Sequence, residues 1–320
     1  MSDKLSLFGL TIAVAVLLVV SGCAPTADLS LRFTPETSAS YEVTTDVIKD
    51  FRFEQPTMDK LREEQTKTTI TVGYTQAVTG IDEQGNAALD VVVDRLSVYM
   101  TSKNQEQLVF DSTDEAHQGR PLAALVGQRY TVTLAPDTTV VDFDTAAAKR
   151  AVTGGMEGNV ARRLFNEDGI RERHEVPALR GMKKESIAVN ESWTQVAPSP
   201  PGLLAPKSFE KVYTLTEIKT HDGRDVAVVQ MQATESAEPA EGQRQAGMDG
   251  LGFFARMFDT RDDYTGSLLM DAQDGSVLEF TEELFTTYLA QEMPFNAPAD
   301  AEPDTLIMRF TNRIMMKKLD

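Results

Sequence analysis

Cysteine, tryptophan and histidine are almost missing from this chain of 320 residues: one Cys, one Trp and three His. A lone Cys23 excludes any disulfide within the chain, so folding relies on burial of a core. His117, His174 and His221 are each flanked by charged or turn residues. No two of them have the spacing of metal ligands on one element. The nucleophile elbow G-x-S-x-G is absent. So are the phosphate loop G-x-x-x-x-G-K and a G-x-G-x-x-G that opens a helix. The turn at Gly275 fails as a calcium loop because its first ligand position would fall on Met270. Carboxylates are numerous, but no pair stands out for acid–base work. The single Trp193 makes no sugar-stacking platform and reads as a core residue. The sequence therefore predicts no catalytic residue, no metal, no cofactor and no enzymatic activity.

Positive charge is also scarce. Acidic residues number 49 against 31 basic ones, for a net charge of −18. Phosphate backbones would be repelled, so no nucleic-acid partner is expected. Between Lys149 and Lys184, however, basic residues outnumber acidic ones. Such a segment either meets anionic headgroups or is a solvated face paired with nearby acids.

What is present begins at the amino terminus. Lys4 precedes an uninterrupted apolar run over residues 5–20, followed by Val20-Ser21-Gly22-Cys23. A basic start, an apolar run and small residues before a cut have the form of an export signal. The run is short for a helix crossing about 30 Å of hydrocarbon. Ser21 and Gly22 give a peptidase access, and the next residue carries an alkylatable thiol. The segment resembles the amino terminus of bacterial lipoproteins. That resemblance implies cleavage after Gly22, lipid on Cys23, and a membrane partner held through that lipid. Lipidation would also remove the thiol from metal or redox chemistry. Two or more acyl chains anchor stably where one does not. Ala24 follows, where the enteric sorting rule places Asp for inner-membrane retention. The expected location is thus the cell envelope, on the periplasmic face of the outer membrane.

Most of the remaining sequence alternates with period two, as half-buried antiparallel strands do. Ile70, Val72 and Tyr74 share one face. Val92, Leu96, Val98 and Met100 are expected to share another, with Asp94 intruding. Leu306, Met308, Phe310, Ile314 and Met316 alternate with Arg309, Thr311, Arg313 and Lys317. Hairpin turns are expected at Gln84-Gly85-Asn86, Asp222-Gly223 and Asp274-Gly275, where glycine supplies a positive φ. The first two hairpins resemble each other, which hints at a duplication.

Helix is sparse. The spacing predicts one over residues 145–166, capped by Asp144 or Thr145, with Gly169 beyond its end. Val152, Met156, Val160 and Leu164 would form its apolar stripe, and Gly154, Gly155 and Gly158 would kink or break it. Residues 197–206 and 294–303 are proline-rich loops, and residues 233–247 are small and polar. The apolar patch over residues 248–258 then forms a flap over a greasy cavity, a membrane-dipping segment or a loop folded back on the core.

The lipobox at Val20–Cys23, the strand Leu31-Arg32-Phe33, the run over residues 74–100 around Gly85, residues 127–137, and Gly266–Asp271 with Asp274-Gly275 together resemble an uncharacterised family of bacterial lipoproteins. That family brings no catalytic residues. A looser resemblance, at fold level, is to periplasmic lipoprotein carriers and mycobacterial lipid-binding lipoproteins. It implies a curved antiparallel sheet around a greasy cavity closed by helices.

The expected fold class is α+β and mainly β: a large curved, half-barrel-like antiparallel sheet with one or two short helices. Residues 1–22 would be the signal, 23–30 a tether and 31–320 one β-rich envelope domain. That domain could comprise two related halves, 31–145 and 190–320, joined by a helical segment over 145–185. Two functions fit. One is a carrier of a lipid or other hydrophobic ligand, with Val152, Met156, Leu251, Phe253, Phe254 and Phe258 as a lid. The other is a scaffold that binds another envelope protein and has a filled core.

Overall fold

The computed structural model describes residues 24–182, 184, 186–221, 223–240, 257–294, 298 and 300–319. Alternation of apolar and polar residues produces long strands. The first run is β1 (Thr26–Asp28), β2 (Ser38–Gln55), β3 (Lys60–Ile81), β4 (Ala87–Ser102), β5 (Gln105–Asp111), β6 (Arg129–Leu134) and β7 (Val140–Asp144). Three short helices follow: α1 (Ala146–Ala151), α2 (Gly155–Phe165) and α3 (Glu167–His174). The second run is β8 (Ser186–Ala188), β9 (Ser192–Pro198), β10 (Ser208–His221), β11 (Arg224–Glu235), β12 (Asp259–Asp271), β13 (Val277–Glu292) and β14 (Asp304–Leu319).

One open antiparallel sheet of 12 strands holds all but β1 and β8, in the order β7-β6-β4-β3-β2-β14-β13-β12-β11-β10-β9, with β5 beside the far half of β4. The mainly-β expectation holds, with three helices rather than one or two. The first and last long strands, β2 and β14, are neighbours at the centre of the sheet, from Thr305 opposite Glu54 to Leu319 opposite Ser40. β1 and β8 pair separately.

Laid flat, the strands from β7 to β9 would span about 50 Å at the usual spacing. The sheet instead bends until both edges reach the same few residues after α3. On one side, the Val140 amide donates to Glu175 at 3.1 Å, and the Val176 amide donates to Thr138 Oγ1 at 2.8 Å. On the other, the Trp193 indole donates to the Ala178 carbonyl at 3.0 Å, and Gln195 Nε2 donates to the Pro177 carbonyl at 2.6 Å. Residues 175–178 thus bridge the open seam of a half-barrel.

Two details differ from the sequence reading. In β4, Val91 and Val93 face inward and Val92 outward, because the register slips where Gly73 and Tyr74 meet Arg95 and Val93. The bulge turns Asp94 to the solvent side, where it accepts from Thr75 at 2.6 Å. A β-bulge shifts the phase of alternation, which a strict period-two reading cannot register.

The expected single helix is three. Val152 is extended and Gly154 takes φ 79°, which breaks α1 from α2. Asp144 caps the start, accepting from the Ala146 amide at 2.9 Å. Gly169 lies inside α3, not past the end of a helix. Asn166 caps this helix by accepting from the Gly169 amide at 2.8 Å, and α2 turns so sharply into it that a Cβ at 169 would stand 2.1 Å from the Arg163 carbonyl oxygen. The apolar stripe is also incomplete. Val160 and Leu164 are buried, Val152 is buried between the helices, and Met156 is 40% exposed.

Candidate functional site

The inner face of the sheet is packed at one end and open at the other. At the packed end, Tyr41, Val43, Ile70, Val72, Leu89, Leu96, Tyr130, Leu268 and Phe280 join the helices in one continuous core. Residues 24–33 cross this end. β1 pairs with β8, the Leu31 amide donates to the Pro136 carbonyl at 2.9 Å, and the Arg32 amide donates to the Gly275 carbonyl at 3.3 Å. Leu29 is fully buried beneath that crossing.

The helices sit on the inner face as far along β2 as Thr45, whose hydroxyl donates to Glu172. Between them and the sheet lies a cavity of about 30 Å³ lined by Val43, Ile70, Leu164 and Arg173, room for roughly one water molecule. Above it Arg173, His174, Tyr130 and Tyr74 form a buried polar group. Arg173 Nε donates to the Tyr130 oxygen at 3.0 Å, Tyr130 Oη lies 2.9 Å from His174 Nε2, and the Tyr74 hydroxyl donates to the Arg173 carbonyl at 3.2 Å. Burial, with Arg173 beside it, holds the His174 pKa well below its ordinary value. These contacts tie α3 to β3 and β6.

Beyond Thr45 the helices no longer cover the inner face, and only the loop before β10 and Phe258 reach part of it. A trough of about 250 Å³ is lined by Lys49, Phe51, Glu64, Thr66, Leu204, Tyr288, Met308 and Phe310, with Asp50, Lys103 and Arg309 among its polar neighbours. Strand alternation places these side chains together: Lys49 opposes Phe310, Phe51 opposes Met308, and Tyr288 opposes Met308 from the other side. Phe51 and Met308 are half-buried, and Tyr288 and Phe310 are buried but stand apart from the continuous core.

The loop before β10 presses on this floor. Gly202 has φ 114°, and a Cβ there would lie 3.0 Å from the Phe310 ring and 3.2 Å from Lys49 Nζ. The Leu204 amide donates to the Tyr288 hydroxyl at 3.3 Å. Phe258 is buried edge-on against Tyr288, with ring centroids 6.1 Å apart.

Charges around the trough are unevenly matched. Glu64 accepts from Arg62 at 2.6 and 2.8 Å. Lys207 is paired with Asp262 at 2.7 Å and Glu235 at 3.0 Å. Burial pulls the Lys207 pKa down, but these carboxylates outweigh it and raise it. Lys49 is exposed and lies 5.6 Å from the Phe310 ring centroid. Among the described residues it makes no ion pair.

The expected lid residues are not gathered in one place. Val152 belongs to the packed core, Met156 faces outward and Phe258 stacks at the open end. Leu251, Phe253 and Phe254 lie outside the described residues, as do Val20, Ser21, Gly22 and Cys23. The sequence reading missed the trough. Its signal was present in β2, where Lys49 interrupts the inward phase Tyr41, Val43, Thr45, Val47, Phe51 and Phe53.

No family model and no curated protein matches the chain. Among solved structures the chain overlaps lipovitellin, in a structure concerned with lipid–protein interactions, at a TM-score of 0.42 and 6% identity, over 90% of this chain and 26% of that one. The chain thus spans about a quarter of lipovitellin. DynF of the dynemicin biosynthesis pathway of Micromonospora chersina overlaps at a TM-score of 0.18 and 9% identity, over 98% of this chain and 94% of that one. A DUF1329 family protein from Desulfovibrio piger overlaps at 0.11 and 9% identity, over 86% and 85%. Overlaps this loose establish neither a family nor a function.

Proposed function

We propose that this chain is a non-enzymatic lipoprotein of the bacterial cell envelope, akin to the uncharacterised lipoproteins its sequence resembles, that takes a hydrophobic ligand into the open end of its half-barrel. One observation carries the reading: the same sheet face is filled with core at one end and left as an apolar trough at the other. On the trough floor Phe310 and Tyr288 are already buried, and the half-exposed Phe51 and Met308 gain free energy when an apolar group displaces their water, roughly 25 cal/mol per Å² covered. Its volume is below the 300–1,000 Å³ typical of drug-sized sites, which suits one acyl tail rather than a whole phospholipid.

The lipid anchor expected on Cys23 fits the same geometry. Residues 24–33 lie at the closed end, and β2 runs 18 residues from there to the open end, about 60 Å at strand rise. An anchor there leaves the trough at the end away from the tether.

Native mass spectrometry of the protein taken from its own membrane tests the function. A bound lipid that is lost in Phe51→Asp or Met308→Asp, with circular dichroism unchanged, is the expected result. A wild-type protein that carries no lipid and takes up none on incubation removes the carrier reading and favours a scaffold with a filled core.

A further inference from the structure

We infer that the trough selects amphiphiles whose single acyl chain ends in an anionic head, and that Lys49 is the residue that reads the head. The inference rests on the ligand-binding function proposed above and names its ligand class.

The Lys49 ammonium group stands over the Phe310 ring and against the Gly202 backbone, beside Phe51 and Met308, with no carboxylate paired to it among the described residues. At present water solvates it, since the residue is exposed. A ligand that covers Phe51 and Met308 beside Lys49 removes that water. An ammonium stripped of water without a partner is strongly disfavoured, so a purely apolar ligand works against itself here. A ligand bearing a carboxylate or phosphate at the end of its chain replaces the lost water with a charge-assisted hydrogen bond.

The neighbouring charges do not supply that partner. Glu64 gives one oxygen to Arg62 and makes no ion pair with Lys49, and Asp50 accepts from Gln65 at 2.8 Å on the opposite face of β2. Lys103 lines the same trough, while Arg309, the register partner of Asp50, points with it to the opposite face. On a protein of net charge −18, a lysine left without a carboxylate partner beside an apolar floor is a specific arrangement rather than a reflection of composition.

The test uses the full chain released from detergent, incubated separately with laurate, dodecyl phosphate and dodecanol at equal concentration, and read by native mass spectrometry. Wild type is expected to retain both anions at least about tenfold more than the alcohol, the size of one hydrogen bond to a charged group. Lys49→Met is expected to bring the three to near equality with dodecanol binding undiminished. Lys103→Gln should change the ratio less than about threefold. Preference for only one of the two anions narrows the head within the class and supports the inference. Equal binding of all three by wild type, or a preference that survives Lys49→Met, overturns it while leaving a hydrophobic site intact. Binding of none of the three overturns it together with the function on which it rests.

Discussion

Lys211 and Glu282 stand 71 positions apart in sequence and form a 2.6 Å ion pair inside the half-barrel, where each side chain is less than a tenth exposed. Both carboxylate oxygens are engaged further, by the hydroxyls of Tyr213 at 3.2 Å and Tyr264 at 3.1 Å. Lys211 Nζ also lies 4.7 Å from the Tyr264 ring centroid. Burial, and then the Glu282 charge, push both phenols far above their ordinary pKa. The pair joins β10 to β13 across two intervening strands.

Removing one partner leaves the other charge buried. Lys211→Met is therefore expected to cost about 3–5 kcal/mol in urea unfolding. Adding Glu282→Gln should recover most of that loss, because a neutral amide accepts from one tyrosine through its oxygen and donates to the other through its NH2. Equal stability of the single and double variants would show that the carboxylate reaches water without Lys211.

His174 makes a pH-dependent contribution. Its folded pKa is depressed, so the neutral ring is the folded form, while the unfolded chain takes up a proton near pH 6.5. Above that pH both states are neutral and no stability is lost. As pH falls below it, the unfolded state binds protons first and folding weakens. Between pH 7.5 and 5.5, the denaturation midpoint of wild type should fall more steeply than that of His174→Gln. Parallel slopes would mean that another group titrates in this window.

Gly169 and Gly80 form a contrasting pair. Gly169→Ala drives a methyl group into the Arg163 and Leu164 carbonyls, and the expected loss is about 3 kcal/mol or more, at or beyond the upper end for overpacking. Gly80→Ala meets nothing within 4 Å and should lie within about 0.5 kcal/mol of wild type. Thermal unfolding of the two variants side by side measures both.

Membrane attachment is tested at Cys23. Labelled palmitate should enter the wild-type protein and not Cys23→Ser, and the variant should leave the membrane fraction. Retention of Cys23→Ser on membranes would point to a different means of attachment.

Much of the architecture could be read from alternation alone. The hairpin glycines take positive φ at 85, 223 and 275, because a tight turn there excludes most side chains. Leu306 to Met316 alternate inward as their pattern implies. The break in the helical segment follows from glycines at 154 and 155. The phase of β4 was not legible, because one inserted residue at a bulge inverts the faces. The depth of His174 was not legible either: its neighbours in sequence are charged, but α3 turns this one side chain into the sheet.

By itself, the sequence determined that the chain forms long antiparallel strands, where the tight turns lie and, away from the bulge in β4, which positions face inward, because each follows from local backbone geometry and a two-residue period. It also carried the amino-terminal segment that resembles those of lipoproteins, and few histidines and cysteines. Only the tertiary structure decided which inward positions are filled and which are empty. Lys49, Lys211 and Glu282 all interrupt an apolar phase in the same way. One is left in an open trough and two are sealed together, because the bend of the sheet and the reach of the helices set how much of the inner face is covered, and both depend on contacts between distant parts of the chain.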